Sequence, residues 1–215
     1  MNEITNSLQK PRLRGHLHQS FFFFFLGATL ILLISFTEHQ NYNSLIIYLT
    51  SLNLLYLIST LYHRPNWGDK KRMLMRRLDH SAIFLLIAGT ASPIITIKLS
   101  SELSKNLQLA NWIIALIGIF ISLIWVKASK KINASIYLIA GFFWLIFLKH
   151  FYLSMTMLEF SLLLAGGFFY INGAIVYAFK KPNFIKHIFG YHEFFHLLVI
   201  LGSLSHLLLI IRIFN

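Results

Sequence analysis

Long apolar blocks are the feature that most constrains how this chain can fold. Along its 215 residues, blocks of about 17–25 mainly apolar residues alternate with short polar segments. A helix of that length crosses the hydrocarbon core of a bilayer and satisfies its backbone polar groups internally. The sequence therefore predicts an all-α fold, a bundle of seven transmembrane helices at 19–37, 44–63, 79–98, 108–126, 133–150, 159–179 and 189–213.

Composition agrees with a membrane protein. Hydrophobic residues make up 57% of the chain and charged residues 12%, against ~25% charged in a typical soluble domain. The net charge of +12 could suggest nucleic acid. However, the Lys and Arg residues lie in the short segments between apolar blocks, as membrane topology requires. We therefore expect membrane lipids as partners and no nucleic acid, whereas the oligomeric state is not specified.

The distribution of Lys and Arg predicts the orientation of the bundle. Fifteen of the 19 lie in the amino-terminal segment and after the second, fourth and sixth blocks, and four lie on the opposite side. Positively charged residues mark the cytoplasmic side. We expect a cytoplasmic segment at 1–18, a membrane domain at 19–215 and an external carboxyl terminus, in the cell (plasma or inner) membrane.

Histidines inside the apolar blocks indicate a metal site, because ionisable groups are costly in a bilayer. His192 and His196 are four residues apart and so lie on one helix face. His63 ends the second block, which the topology brings to the same cytoplasmic side. Three imidazoles are a common ligand set for catalytic zinc, and a chain without cysteine must bind metal through nitrogen and oxygen. We predict that His63, His192 and His196 bind Zn²⁺.

Two further polar residues are candidates for catalysis at this depth. Asp79 begins the third block, and Ser59 lies one turn before His63. Each has a simpler alternative: Asp79 could cap the third helix, and Ser59 could bond to a carbonyl of its own helix. His80 and Glu193 adjoin the candidates and could support the metal ligands.

The other histidines are not expected to bind this metal. His206 lies ten residues beyond His196, about 15 Å along a helix, so we expect it to be packed or hydrogen-bonded. Solvated positions in loops or at helix ends are expected for His16, His18, His39, His150 and His187.

Three motifs together resemble the hemolysin III family. They are STLYH followed by RP at 59–65, RRLDHSAIFLLIAGTASP at 76–93, and FGYHEFFHLLVILGSLSH at 189–206. This family is grouped with the progestin and adiponectin Q receptors, seven-helix proteins related to alkaline ceramidases. The resemblance implies that His63, His192 and His196 bind zinc, with Ser59 and Asp79 near the zinc-bound water. Ala91-Ser92 stands where relatives commonly have Tyr-Thr.

The stretch HEFFH at 192–196 also matches H-E-x-x-H, the zinc signature in which the Glu of soluble metalloproteases is the general base. The resemblance favours H-x-x-x-H instead, because receptor relatives have Gln at the position of Glu193. We expect Glu193, one turn from the cytoplasm, to be hydrated and at most to tune the site.

The leading hypothesis is a zinc-dependent hydrolase of a lipid amide or ester in the cytoplasmic leaflet. Zinc would activate water, Asp79 would accept its proton, and Ser59 would orient the water or donate to the oxyanion. The alternatives are a structural zinc in a lipid-sensing or regulatory protein, an intramembrane metalloprotease with Asp79 as a third ligand, and, ranked lowest, a pore-forming hemolysin.

Overall fold

The computed structural model describes residue 11, residues 13–185 and residues 187–215. It contains seven helices that are long and apolar enough to cross a membrane, and no β-strand within these residues. The predicted fold class is confirmed. The helices are α1 His16–Ser35, α2 Tyr42–His63, α3 Asp69–Lys98, α4 Ser101–Ile124, α5 Lys130–Ser154, α6 Met157–Phe179 and α7 Tyr191–Phe214.

Two predicted helix starts were too late by seven residues or more, because hydropathy detects the lipid-crossing stretch and not the whole helix. α3 begins at Asp69 instead of 79, and α4 begins at Ser101 instead of 108. The added first turns of α3 contain mainly Lys, Arg, Met and Leu, which are good helix formers although the charged ones are too polar for a bilayer. α5 is not uniform either: a 3₁₀ segment, Phe143–Phe147, interrupts it.

Helices that follow one another in sequence pack side by side, and α7 returns to contact α1 and α3. In the most apolar stretch of each helix, 72% of the residues of α3, 61% of α7 and 50% of α2 are buried, against 17% of α1. The second, third and seventh helices therefore form the interior. Their packing includes the fully buried rings of Tyr48 and Tyr56 on α2.

The outer helices present apolar side chains to their surroundings. Ile34 on α1 is 79% exposed, and Ile139, Ile146 and Leu153 on α5 are 70%, 71% and 71% exposed. Such a surface is stable only against lipid, so the chain is a multi-pass membrane protein. Most of the predicted segment 1–18 lies outside the described residues, as do Lys10, Arg12 and Lys186, which entered the orientation prediction.

α2 and α3 approach closely at Gly89. A Cβ atom added there would lie 2.6 Å from the Cβ atom of Ser51. The Ser51 hydroxyl donates a hydrogen bond to the carbonyl of Tyr48 at 2.7 Å, which limits how far this side chain can move. Gly89 therefore sets the distance between the two helices that carry Ser59, His63 and Asp79.

We predict that Gly89→Ala destabilises the bundle by about 1–3 kcal/mol, the usual cost of overpacking a core. Gly27→Ala on α1 is the matched control, because no atom lies within 4 Å of a Cβ added there. Both substitutions gain the same helix propensity. Thermal unfolding in detergent should show a lower midpoint for Gly89→Ala only, and equal midpoints would contradict the close approach.

Candidate metal centre

Three imidazole rings from two helices lie together at one end of the bundle. His63 is the last residue of α2, and His192 and His196 occupy the first two turns of α7. Their side chains are 8%, 8% and 2% exposed. One ring nitrogen from each residue lies within 4.8 Å of the others, so the three residues can hold a metal ion.

The spacing of the nitrogens fits a shared ion. Nε2 of His192 lies 3.2 Å from Nε2 of His63. Two imidazole nitrogens that bind zinc tetrahedrally, each at about 2.0–2.1 Å from it, are about 3.3 Å apart. The planes of the three rings are inclined to one another by 51°, 63° and 69°, so their lone pairs can converge.

The burial of this cluster also favours a bound cation. Nδ1 of His192 is buried and has no hydrogen-bond partner among the residues that the structure describes. Buried polar groups are costly unless they are satisfied. A cation would bind the ring nitrogens that face one another, such as Nε2 of His192 and Nε2 of His63, and would satisfy those atoms although not Nδ1. All three ligands would be nitrogen, a set that suits zinc.

Asp79 and Ser59 lie beside the imidazoles, and both simpler alternatives for them are wrong. Asp79 is not a helix cap, because α3 begins ten residues earlier at Asp69. The Ser59 hydroxyl is 2.9 Å from Nδ1 of His18, and no bond to its own helix is found within the described residues. The side chains of Asp79 and Ser59 are close enough to interact.

His18 is the site residue that sequence reasoning missed. It was expected to be solvated, but it is 3% exposed and lies in the first turn of α1. Its ring is stacked on that of His196, with centroids 3.8 Å apart and planes inclined by 9°. Its position just before the Phe-rich run could have suggested burial, but the sequence does not show which helix it would contact.

A cavity of about 430 Å³ connects this cluster with the interior of the bundle. His18, Ser59, Asp79 and His196 all contribute to its wall, and most of the other lining residues are aliphatic or aromatic side chains of α3, α5, α6 and α7. Its volume is within the ~300–1,000 Å³ of ligand pockets. The site therefore combines a possible metal, a carboxylate and a hydroxyl with an apolar chamber.

Comparison with known proteins places the chain in a family. A sequence model of the Haemolysin-III related family matches residues 6–207. Hemolysin-3 of Bacillus cereus is 37% identical over 181 residues, which cover 83% of this chain and 80% of the relative. The Hemolysin-3 homolog of Bacillus subtilis (strain 168) is 36% identical over 160 residues, which cover 74% and 72%. The chain belongs to the Haemolysin-III related family.

In this haemolysin III protein, Glu193 is neither hydrated nor directed at the imidazoles. It is 1% exposed and forms an ion pair with Arg14. Its carboxylate also accepts a hydrogen bond from the backbone N–H of Gly190 at 2.9 Å, which caps the start of α7. The prediction of a hydrated Glu193 was wrong, because this residue joins the segment before α1 to the amino end of α7.

Two other histidines are buried away from the cluster. The ring of His80 is 6% exposed and makes an edge contact with Tyr137 at a centroid distance of 6.4 Å. A ring nitrogen of His206 lies 3.2 Å from the carbonyl oxygen of Leu163, which confirms the expectation of a hydrogen-bonded histidine. The support that His80 was predicted to give to the metal ligands stays a prediction.

We predict that purified wild-type protein contains zinc and that His63→Ala and His196→Ala each lose most of it. Each substitution removes one of the three imidazoles that can hold the ion together, and the loss of a ligand weakens metal binding. His150→Ala is the control, because His150 is exposed on α5. Elemental analysis after detergent purification measures the metal. Equal zinc contents in all four proteins would rule out this site.

Proposed function

We propose that the protein is a zinc-dependent hydrolase of a lipid amide or ester, with its site at the cytoplasmic leaflet of the cell (plasma or inner) membrane. One observation carries the proposal: His196, a member of the three-histidine group, shares an apolar cavity with Asp79 and Ser59. This arrangement joins a metal site and acid–base groups to a chamber for an acyl chain.

The chain's own residues supply the proton transfers. A bound zinc ion supplies Lewis-acid activation of water and of the substrate carbonyl at neutral pH. The water oxygen bonds to the acyl carbon while the bond to the amine or alcohol breaks. Asp79 accepts the proton of the attacking water and returns it to the leaving group. Ser59, beside Asp79, orients the water or donates to the developing oxyanion.

The cavity supports an acyl-lipid substrate. Leu145 on α5 and Phe168 on α6 line it and are 52% and 61% exposed, so its wall reaches the lipid-facing surface between these helices. Towards the opposite end of the bundle, Nζ of Lys98 is 2.9 Å from both carboxylate oxygens of Glu159 and joins α3 to α6. An acyl chain would enter the cavity from the bilayer through the exposed wall between α5 and α6, and its carbonyl would then lie near Asp79.

The assignment to the cytoplasmic leaflet rests on the charges. His63, His192 and the start of α1 share one end of the bundle. That end also carries the positively charged segments between α2 and α3 and between α6 and α7, which mark the cytoplasmic side in membrane proteins.

We predict that Asp79→Asn keeps its zinc but loses hydrolytic turnover by about 10²–10⁴-fold, the contribution of a general base. The substitution keeps the size of the side chain and removes its charge. Zinc content, thermal unfolding and turnover on a panel of ceramides and acyl esters are measured together. Zinc-loaded wild-type protein without turnover on the panel would contradict the hydrolase.

The same variant tests a structural zinc, which would have a closed shell of four protein ligands. Asp79→Asn would then lose zinc and stability as much as His196→Ala does. We rank this function second, because the group of residues that can hold a metal contains three histidines without Asp79. Three histidine ligands alone would leave one of the four positions of zinc for water.

An intramembrane metalloprotease is disfavoured by the position of Glu193. A general base must reach the attacking water, whereas this carboxylate is engaged by Arg14 and by the N–H of Gly190. The relatives' name, Hemolysin-3, suggests lysis. We rank a pore-forming activity lowest, since a secreted toxin must be soluble before it inserts, and this bundle is covered with apolar side chains.

We predict that Glu193→Gln keeps zinc content and turnover near the wild-type level and lowers the unfolding midpoint in detergent. Gln can still accept the hydrogen bond from Gly190, but it loses the charge opposite Arg14, and a hydrogen bond to a charged group contributes about 1.5–3 kcal/mol. Arg14→Gln should lower the midpoint further, because it leaves the buried Glu193 carboxylate without its charged partner. Complete loss of turnover in zinc-loaded Glu193→Gln would instead support the protease.

A further inference from the structure

The first helix contributes more to the site than its composition suggests. Only 17% of its most apolar stretch is buried, yet His18 contacts both a predicted catalytic residue and a predicted ligand. We propose that His18 is a positioning residue, which holds the Ser59 hydroxyl by a hydrogen bond and the His196 imidazole by ring stacking. The part of the proposal that concerns turnover rests on the hydrolase function above.

The stacking geometry separates His18 from the metal ligands. Its ring is nearly parallel to that of His196, at 9° and 3.8 Å. The nitrogen lone pairs of the two rings therefore lie in separate parallel planes and cannot converge on one ion about 2 Å away. The group of residues able to hold a metal likewise does not contain it. The stack instead limits rotation of the His196 ring.

The hydrogen bond limits the movement of Ser59. Nδ1 of His18 lies 2.9 Å from Oγ of Ser59, and this bond fixes the oxygen whichever atom carries the proton. Ser59 in turn interacts with Asp79. His18 therefore acts on Asp79, the proposed proton acceptor, through the side chain of Ser59. In metal sites, residues that hold the ligands by hydrogen bonds act in the same indirect way, and their loss lowers metal affinity or activity by about 10–100-fold.

The start of α1 is held firmly enough for this role. Gly15 precedes the helix with φ of +79°, and a Cβ atom there would lie 2.9 Å from the Cβ atom of His63, so the backbone packs directly on a candidate ligand. The edge of the Tyr56 ring contacts His18 at a centroid distance of 4.8 Å. Farther along α1, the Asn53 amide on α2 donates to the Thr29 hydroxyl at 2.7 Å.

Two substitutions separate the two contacts. His18→Asn keeps a polar group near the position of Nδ1 and removes the stacked ring. His18→Phe keeps a stacked ring and removes the hydrogen bond. His16→Asn is the matched control, because His16 lies two residues away on α1 and bonds to Arg64 at the surface. Each protein is studied in detergent as the full chain, loaded with Co²⁺ or Zn²⁺, after its folding has been checked by thermal unfolding.

We expect His18→Asn to weaken Co²⁺ binding in a chelator competition by about 10–100-fold and to shift the visible absorption of bound Co²⁺, because the His196 ring is freed. His18→Phe should keep the wild-type spectrum and affinity but lower kcat on the acyl-lipid panel by about 10–100-fold, with little change in KM. Ser59→Ala should lower kcat by the same factor. The double variant His18→Phe/Ser59→Ala should lower kcat no further, since both changes remove the same hydrogen bond between His18 and Ser59.

An unchanged affinity and spectrum in His18→Asn would overturn the positioning of His196. The positioning of Ser59 by His18 would be overturned if kcat is unchanged in His18→Phe. It would also be overturned if the double variant loses as much kcat as the two single variants together. If wild-type protein binds Co²⁺ but has no turnover, the hydrolase fails and the spectra still decide the role of the stack. If either His18 variant does not fold while His16→Asn does, the other variant and the Ser59→Ala protein decide the remaining contact.

Discussion

The structure depends on bringing three imidazoles together inside an apolar bundle. Polar rings are costly to bury unless their nitrogens are satisfied, and His63, His192 and His196 are all buried. A shared cation would satisfy one nitrogen of each ring, because the end of α2 and the start of α7 meet at one depth. The two helices that carry these rings, α2 and α7, are with α3 the most buried of the bundle, whereas the outer helices contribute to the wall of the cavity and to the surface towards lipid.

The location of the site at one end of the bundle gives it access to two environments. The histidines lie in terminal turns, where water and protons can arrive from the membrane surface. The cavity extends from Asp79 and Ser59 among apolar side chains towards the lipid-facing wall. Under the proposed function, this polar site next to an apolar chamber would suit a substrate whose reactive group is at the interface and whose chain remains in the bilayer.

Glu193 shows why a motif does not determine chemistry. Its neighbour His192 belongs to the group of histidines that can hold a metal ion, but adjacent helix residues point about 100° apart. The carboxylate therefore lies on another side of α7, where it pairs with Arg14 and caps the helix at Gly190. The five residues that resemble the motif of a soluble zinc protease here combine two histidines of a group that can hold a metal ion with an acid that connects the segment before α1 to the start of α7.

The sequence by itself determined the seven helices, and it placed Ser59 with His63 and His192 with His196 on one helix face each. Bilayer thickness and helix geometry act locally along a chain, so these features can be read from local patterns. It also predicted that His63 and the α7 histidines meet, since alternating topology constrains which ends lie together. Only the tertiary structure decided that His18 is buried, that Asp79 lies well inside α3, and that a cavity opens beside both. These features depend on how helices distant in sequence approach and rotate against one another, and no local pattern records those distances.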